Sequence, residues 1–244
     1  MKIKFLGTSH GVPMPGRNYQ SILIETDGGL YLIDAGAPVM ELLINEGYDL
    51  TRLKAVFITH IHGDHMLGLL NIVNLATWYY QDMRFKVYLP EQRAIDCVKD
   101  FVKMLVNVEV TDRIDFSLVE PGCFYKECGL SVSAVHTDHM APWSDISYGF
   151  LVEAEGKRVY VTGDLHGSLK DYPLEVLAEY VDVLITECSH CTVELLAEKL
   201  KVVKAGKVIV VHVSPVEKYE QLRAYKEAFA AALLLPDDGD EYVI

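Results

Sequence analysis

Between Thr59 and His65 the chain reads THIHGDH, which crowds four side chains of ligand type, His60, His62, Asp64 and His65, into one short segment. His60 and His62 flank a single residue, so an extended backbone points both imidazoles to the same side. Asp64 and His65 then follow in the turn. Imidazoles mixed with a carboxylate suit zinc, manganese or iron, and solvated histidines rarely gather this way, so a chance His-rich loop is the weaker explanation. The preceding LKAVFIT (53-59) is a buried-strand candidate, which places the cluster at the C-terminal end of a strand.

Around that segment the hydrophobic pattern alternates. Strand-like runs at 2-6, 20-26 and 30-34, with Asp27-Gly28-Gly29 as a hairpin signal, open the chain as a β meander. Helical spacing covers 38-45, 66-80 and 91-106, with a strand at 85-90, and strands are expected at 129-135, 147-153 and 157-163. Helix 173-180, strand 181-186, helix 193-204, strand 207-213 and an amphipathic helix over 216-233 complete the pattern. Strand runs followed by helices, twice over, predict an α+β chain of two sheets faced by helices, in a single domain spanning 1-244.

The formal charge of -13 repels polyanions, so extended nucleic acid is an unlikely partner, while metal ions would draw a small anionic substrate to one spot. The opening MKIKFLGTSH reads as a first strand rather than a signal peptide, and no apolar stretch has the length of a membrane span. The 5 cysteines, Cys97, Cys123, Cys128, Cys188 and Cys191, do not resemble a disulfide framework, which points to the cytoplasm. Cys188 and Cys191 lack a second pair at zinc-ribbon spacing and read as buried thiols near the cleft. Trp78, Tyr79 and Tyr80 read more readily as core than as pocket wall.

THIHGDH resembles the signature of the metallo-β-lactamase superfamily. The opening GTSHGVP with Arg17 and Asn18, and LIDAG at 32-36, resemble the branch that holds the tRNA 3′-end nuclease RNase Z and small-molecule phosphodiesterases. The resemblance implies an αββα sandwich with two divalent metal ions, zinc first and manganese or iron as alternatives, in a cleft at the sheet edges. It implies that His60 and His62 bind the first ion, that Asp64, His65 and His212 of VVHVSP bind the second, and that Asp164 of VTGDL bridges them. Asp34 matches an acid that orients ligands. VHTDH offers both His136 and His139; the approach to SYGF puts His139 in the ligand's place, with His136 as the alternative.

His190 in SHCTVELLAEKL resembles a catalytic step before a helix that stabilises or protonates the leaving group, although a residue beside a helix cap could also stand there. Asp64 would also accept the proton of the bridging water, leaving a hydroxide to attack phosphorus in line. His166 and His10 are secondary candidates. RNase Z carries a long RNA-gripping arm between the third His and the bridging Asp. Here that interval holds only two strands and a turn, and Pro15 stands where the nuclease has Lys. The expectation is therefore a phosphodiesterase acting on a small phosphodiester or cyclic phosphate. The alternatives are a tRNA 3′-end endonuclease and a lactone, ester or thioester hydrolase of the same fold. Relatives often dimerise, so a homodimer stays open beside a monomer.

Overall fold

The computed structural model describes residues 1–144, 146–225 and 232–244. The first sheet has 7 strands, β1 (Lys2–Gly7), β2 (Ser21–Thr26), β3 (Gly29–Ile33), β4 (Leu53–Phe57), β5 (Phe85–Leu89), β6 (Ile114–Leu118) and the last strand β14 (Glu241–Val243), which pairs with β1. β1 to β3 form the expected antiparallel meander; β3 to β6 run parallel, which requires crossovers. Helices α1 (Val39–Asn45), α2 (Gly63–Trp78) and α3 (Gln92–Val106) supply those crossovers.

The second sheet also has 7 strands: β7 (Gly122–Glu127), β8 (Leu130–His136), β9 (Tyr148–Ala154), β10 (Lys157–Val161), β11 (Val181–Cys188), β12 (Ala205–Val213) and β13 (Ala232–Leu234). β7 to β10 are antiparallel and β10 to β13 parallel. Helices α4 (Leu174–Leu177), α5 (Val193–Leu200) and α6 (Glu217–Tyr225) lie among these later strands.

Three apolar layers hold these elements together. In β2, Ile22 and Ile24 face the second sheet while Leu23 faces α1 and α2, as the two-residue period of a strand dictates. Phe57, Tyr88, Phe124, Tyr125 and Phe150 pack their rings between the sheets. Leu165, Leu184, Leu196 and Leu222 fill the outer layer under α5 and α6. Both faces of each sheet are covered, which explains why segments such as VLI (183-185) and VIVV (208-211) read as continuous apolar runs. The result is the metallo-β-lactamase αββα sandwich.

The structure departs from the pattern reading in several places. α2 begins at Gly63, so Asp64 and His65 lie in its first turn instead of ahead of it. Strand β6 escaped notice because Asp115 interrupts its apolar run, and β7 because most of its side chains face solvent. α4 is a single turn, and α5 stops at Leu200. Of the helix expected over 216-233, α6 reaches Tyr225, residues 226-231 lie outside the described residues, and Ala232–Leu234 is a strand because it pairs with β12 and buries Leu233.

Candidate metal centre

β1, β3, β4, β8, β10, β11 and β12 all end at one rim of the sandwich, where the loops after parallel strands can converge. β4 leads into His60 and His62, and α2 carries Asp64 and His65. Asp64 sits near the helix N-terminus, where the exposed peptide N–H groups favour a carboxylate. β8 leads to His139, β10 to Asp164, β11 to His190, and His212 lies at the end of β12.

These side chains form two adjoining groups. His60 Nε2 and His62 Nδ1 lie 3.1 Å apart, His62 Nδ1 and His139 Nε2 3.2 Å, and Asp164 Oδ2 is 3.7 Å from His60 and 3.6 Å from His139. In the second group His212 Nε2 is 3.0 Å from Asp64 Oδ2 and 3.3 Å from His65 Nε2, which lies 3.4 Å from Asp64. Asp164 Oδ2 also reaches His65 Nε2 at 3.5 Å, which puts it between the groups. Four N and O atoms bound tetrahedrally at about 2.0–2.1 Å would stand about 3.3 Å apart, so both groups have the spacing of a coordination shell. His212 turns Nε2 into the second group, and its buried Nδ1 lies 3.6 Å from Asp164 Oδ1.

The electrostatics differ between the first group's imidazoles and His65. Burial lowers the pKa of His60, His62 and His139, which favours the neutral imidazole that a metal requires. Burial also opposes charge on His65, but Asp164 and Asp34 outweigh it and raise its pKa well above the ordinary value. Burial works against the Asp64 carboxylate, yet hydrogen bonds from His212 and His65 hold its pKa well below the usual range.

Asp34 is the residue that fixes this geometry from behind. Its Oδ2 lies 2.7 Å from His65 Nδ1, and its Oδ1 accepts from the Thr59 amide at 2.8 Å. Thus one buried carboxylate aligns both ends of THIHGDH, the arrangement by which outer carboxylates orient ligating imidazoles. Gly36, two residues on, lets its loop touch α2: a Cβ there would collide with the Asp64 carbonyl oxygen and Tyr19. Asp34 and His212 have φ of 58° and 50°, a left-handed conformation uncommon for residues other than glycine.

His190 forms a third group with Asp164 and His212, ligand atoms within 4.8 Å of one another; its Nδ1 is 3.9 Å from Asp164 Oδ2 and 2.9 Å from Glu187 Oε1. Burial opposes its charge, but the Glu187 carboxylate outweighs this and pushes its pKa up to about 9. Glu187 was not found from the sequence; it is buried, accepts from the amides of Ser189, His190 and Leu165, and so anchors the His190 loop. TECSH did place an acid three residues before a histidine, but that spacing alone does not separate a partner from a solvated neighbour.

Between the two alternatives on the VHTDH loop, the structure brings His139 to the cluster and leaves His136 half-exposed near Asp138. His10 lies 6.2 Å, ring to ring, from His212 and borders a cavity of 950 Å³ with Met14, Pro15, Pro215, Val216 and Arg223. His166 instead pairs with Ser168. Cys188 and Cys191 are buried thiols beneath the His190 loop. Trp78, Tyr79 and Tyr80 are exposed at the end of α2, so they form neither core nor pocket wall; the helix ends there and turns them to solvent. Arg17 is held by Thr8, Asp237 and the Pro236 carbonyl over the ring of Tyr219.

A family model described as Anti-Pycsar protein Apyc1 matches residues 1–215. Ribonuclease Z of Listeria monocytogenes is 31% identical over 142 residues, which cover 57% of this chain and 46% of that protein. The chain thus spans about half the length of the curated relatives it matches. The short form of human tRNase Z has a TM-score of 0.77 at 20% identity, covering 100% of this chain and 99% of that one. The metallo-β-lactamase fold protein YhfI of Bacillus subtilis also reaches 0.77, at 16% identity, covering 99% and 98%. The two solved structures share this chain's fold, and the ribonuclease Z likeness covers part of each chain.

Proposed function

Because the chain belongs to the Anti-Pycsar Apyc1 family, we propose that it is a metal-dependent hydrolase, a phosphodiesterase that cleaves a small phosphodiester or cyclic phosphate. His60, His62, His139 and Asp164 would hold one divalent ion, and Asp64, His65, His212 and Asp164 a second, zinc before manganese or iron. Such a pair would supply Lewis acidity toward the phosphoryl oxygens and acidify the attacking water. The chain's own residues do the rest. Asp64, beside His212, accepts the proton of the attacking water, and Asp34 keeps His65 in one orientation.

The observation that carries the phosphodiester reading is the Glu187–His190 pair at the edge of the cluster. Glu187 Oε1, 2.9 Å from His190 Nδ1, favours the imidazolium, which can donate a proton to a departing alkoxide. Hydrolysis of a thioester, whose thiolate leaves without a proton, places less demand on that donor. The interval from His139 to Asp164 is a loop followed by β9 and β10, and the net charge is -13, which supports a small substrate over tRNA. Five free thiols suit a reducing cytoplasm, and no helix among the described residues is long and apolar enough to cross a membrane.

The test is turnover of bis(p-nitrophenyl) phosphate and a panel of five- and six-membered cyclic phosphates by metal-reconstituted protein, beside lactones, thioesters and precursor tRNA. Metal-dependent cleavage of the small phosphodiesters, with the cyclic phosphates lost in His190→Ala, is the expected result. Cleavage confined to lactones or thioesters would overturn the substrate class, and cleavage of precursor tRNA alone would replace it with the nuclease.

A further inference from the structure

Glu187 grips the His190 loop from inside the sheet; a second group grips it from outside. Lys218, in the first turn of α6, sends its ammonium into the curl of that loop. Nζ donates to the carbonyl oxygens of Cys188 at 3.0 Å, Ser189 at 2.9 Å and Cys191 at 2.7 Å. An ammonium has three N–H donors and no acceptor, so every donor of Lys218 is spent on this one loop. Hydrogen bonds from a charged donor are roughly twice as strong as neutral ones. The acceptors lie on both sides of His190 in sequence, and the last immediately precedes Thr192, whose side chain caps α5. The fork of an arginine is planar and cannot direct three N–H groups from one atom at three converging carbonyls.

The loop is thereby clamped from two directions. Glu187 binds its amides and the His190 ring, and Lys218 binds its carbonyls. Lys218 touches none of the metal-ligating side chains, and its neighbours Val216, Glu217 and Tyr219 line the 950 Å³ cavity bordered by His10.

We propose that Lys218 is a positioning residue for His190: by tying three carbonyls of the 188–191 loop to α6, it holds the imidazole where a leaving oxygen can take its proton. The proposal rests on the phosphodiesterase reading for its catalytic consequence, and on the hydrogen bonds alone for the holding of the loop. Lys218→Met removes the donors and keeps an unbranched side chain that matches the lysine's apolar stem.

The experiment compares wild type, Lys218→Met, His190→Ala and the double variant, metal-loaded, on two phosphodiesters that differ only in leaving group, p-nitrophenolate against a primary alkoxide. An alkoxide needs a proton and p-nitrophenolate does not, so Lys218→Met lowers kcat for the alkoxide ester about tenfold or more and for the nitrophenyl ester by less than about threefold. KM changes by less than about threefold, and the double variant is no slower than His190→Ala, since the two residues act as one unit. In the metal-free chain, amide hydrogen exchange over 188–191 speeds up in Lys218→Met while the strands keep their protection. Equal losses on both esters, additive losses in the double variant, or unchanged exchange would each overturn the proposal. If wild type turns over neither ester, the phosphodiesterase reading falls, and the exchange measurement alone decides whether Lys218 holds the loop.

Discussion

The two halves of the sandwich furnish the rim in different ways. The first delivers His60, His62, Asp64 and His65 from one loop and one helical turn. The second delivers His139, Asp164, His190 and His212 from the ends of β8, β10, β11 and β12. In the first half, local geometry sets the donors' spacing, and Asp34 reinforces it through Thr59 and His65. In the second, the donors meet only because four strands share a sheet and end at one level, so their convergence depends on the whole sheet being assembled. A local array and an assembled one respond differently to substitution.

The sharpest way to break this contrast is Asp164→Ala, which removes the carboxylate lying between the two groups. The turnover of the metal-loaded enzyme should fall by more than about a hundredfold, beyond the tenfold to hundredfold typical of outer partners. Elemental analysis should find fewer ions per chain. Retention of a full metal complement would mean that the remaining donors of both halves suffice without it.

A smaller effect is expected at the ambiguous loop. His139→Ala should cost ions from the His60–His62 side and most activity, while His136→Ala should leave metal content unchanged and kcat within about threefold of wild type. The reverse outcome would move the ligand to the strand end. Asp34→Ala tests the local reinforcement: metal affinity, measured by competition with a chromophoric chelator, should weaken about tenfold to hundredfold. No change would show that THIHGDH needs no support from LIDAG.

Glu187→Gln is the mildest change. Proton NMR of the metal-free chain should show the His190 pKa falling from about 9 toward the ordinary histidine range. The sign follows from linkage: a folded-state pKa raised above the unfolded one gives stability that is complete below the ordinary value and lost as pH rises through about 9. The variant should therefore lose most stability below pH 7 and almost none at pH 10. A His190 pKa unmoved by the substitution would assign its charge to Asp164 instead.

The same contrast explains what the sequence disclosed. THIHGDH was legible because its candidate ligands are adjacent, and the family pattern then pointed to Asp164 and His212, which the fold brings to the same rim. The sandwich was legible because its inner strands are buried on both faces, which leaves unbroken apolar runs. The edges were not: β6 and β7 expose polar side chains, and β13 and β14 are too short to carry a period. Glu187 and Lys218 stayed hidden for a related reason. Both act on backbone atoms of a loop, and nothing in the type or spacing of a residue reports which amides or carbonyls its side chain will meet.

The left-handed backbone at His212 has an evolutionary consequence. An imidazole there carries a conformational cost of roughly 1–2 kcal/mol that glycine would largely avoid. Relief of that cost by substitution would be set against the loss of a buried ring and of its hydrogen bond to Asp64, whereas the histidines of THIHGDH carry no such backbone cost. Position 212 is therefore the one histidine of the cluster whose retention works against its own backbone.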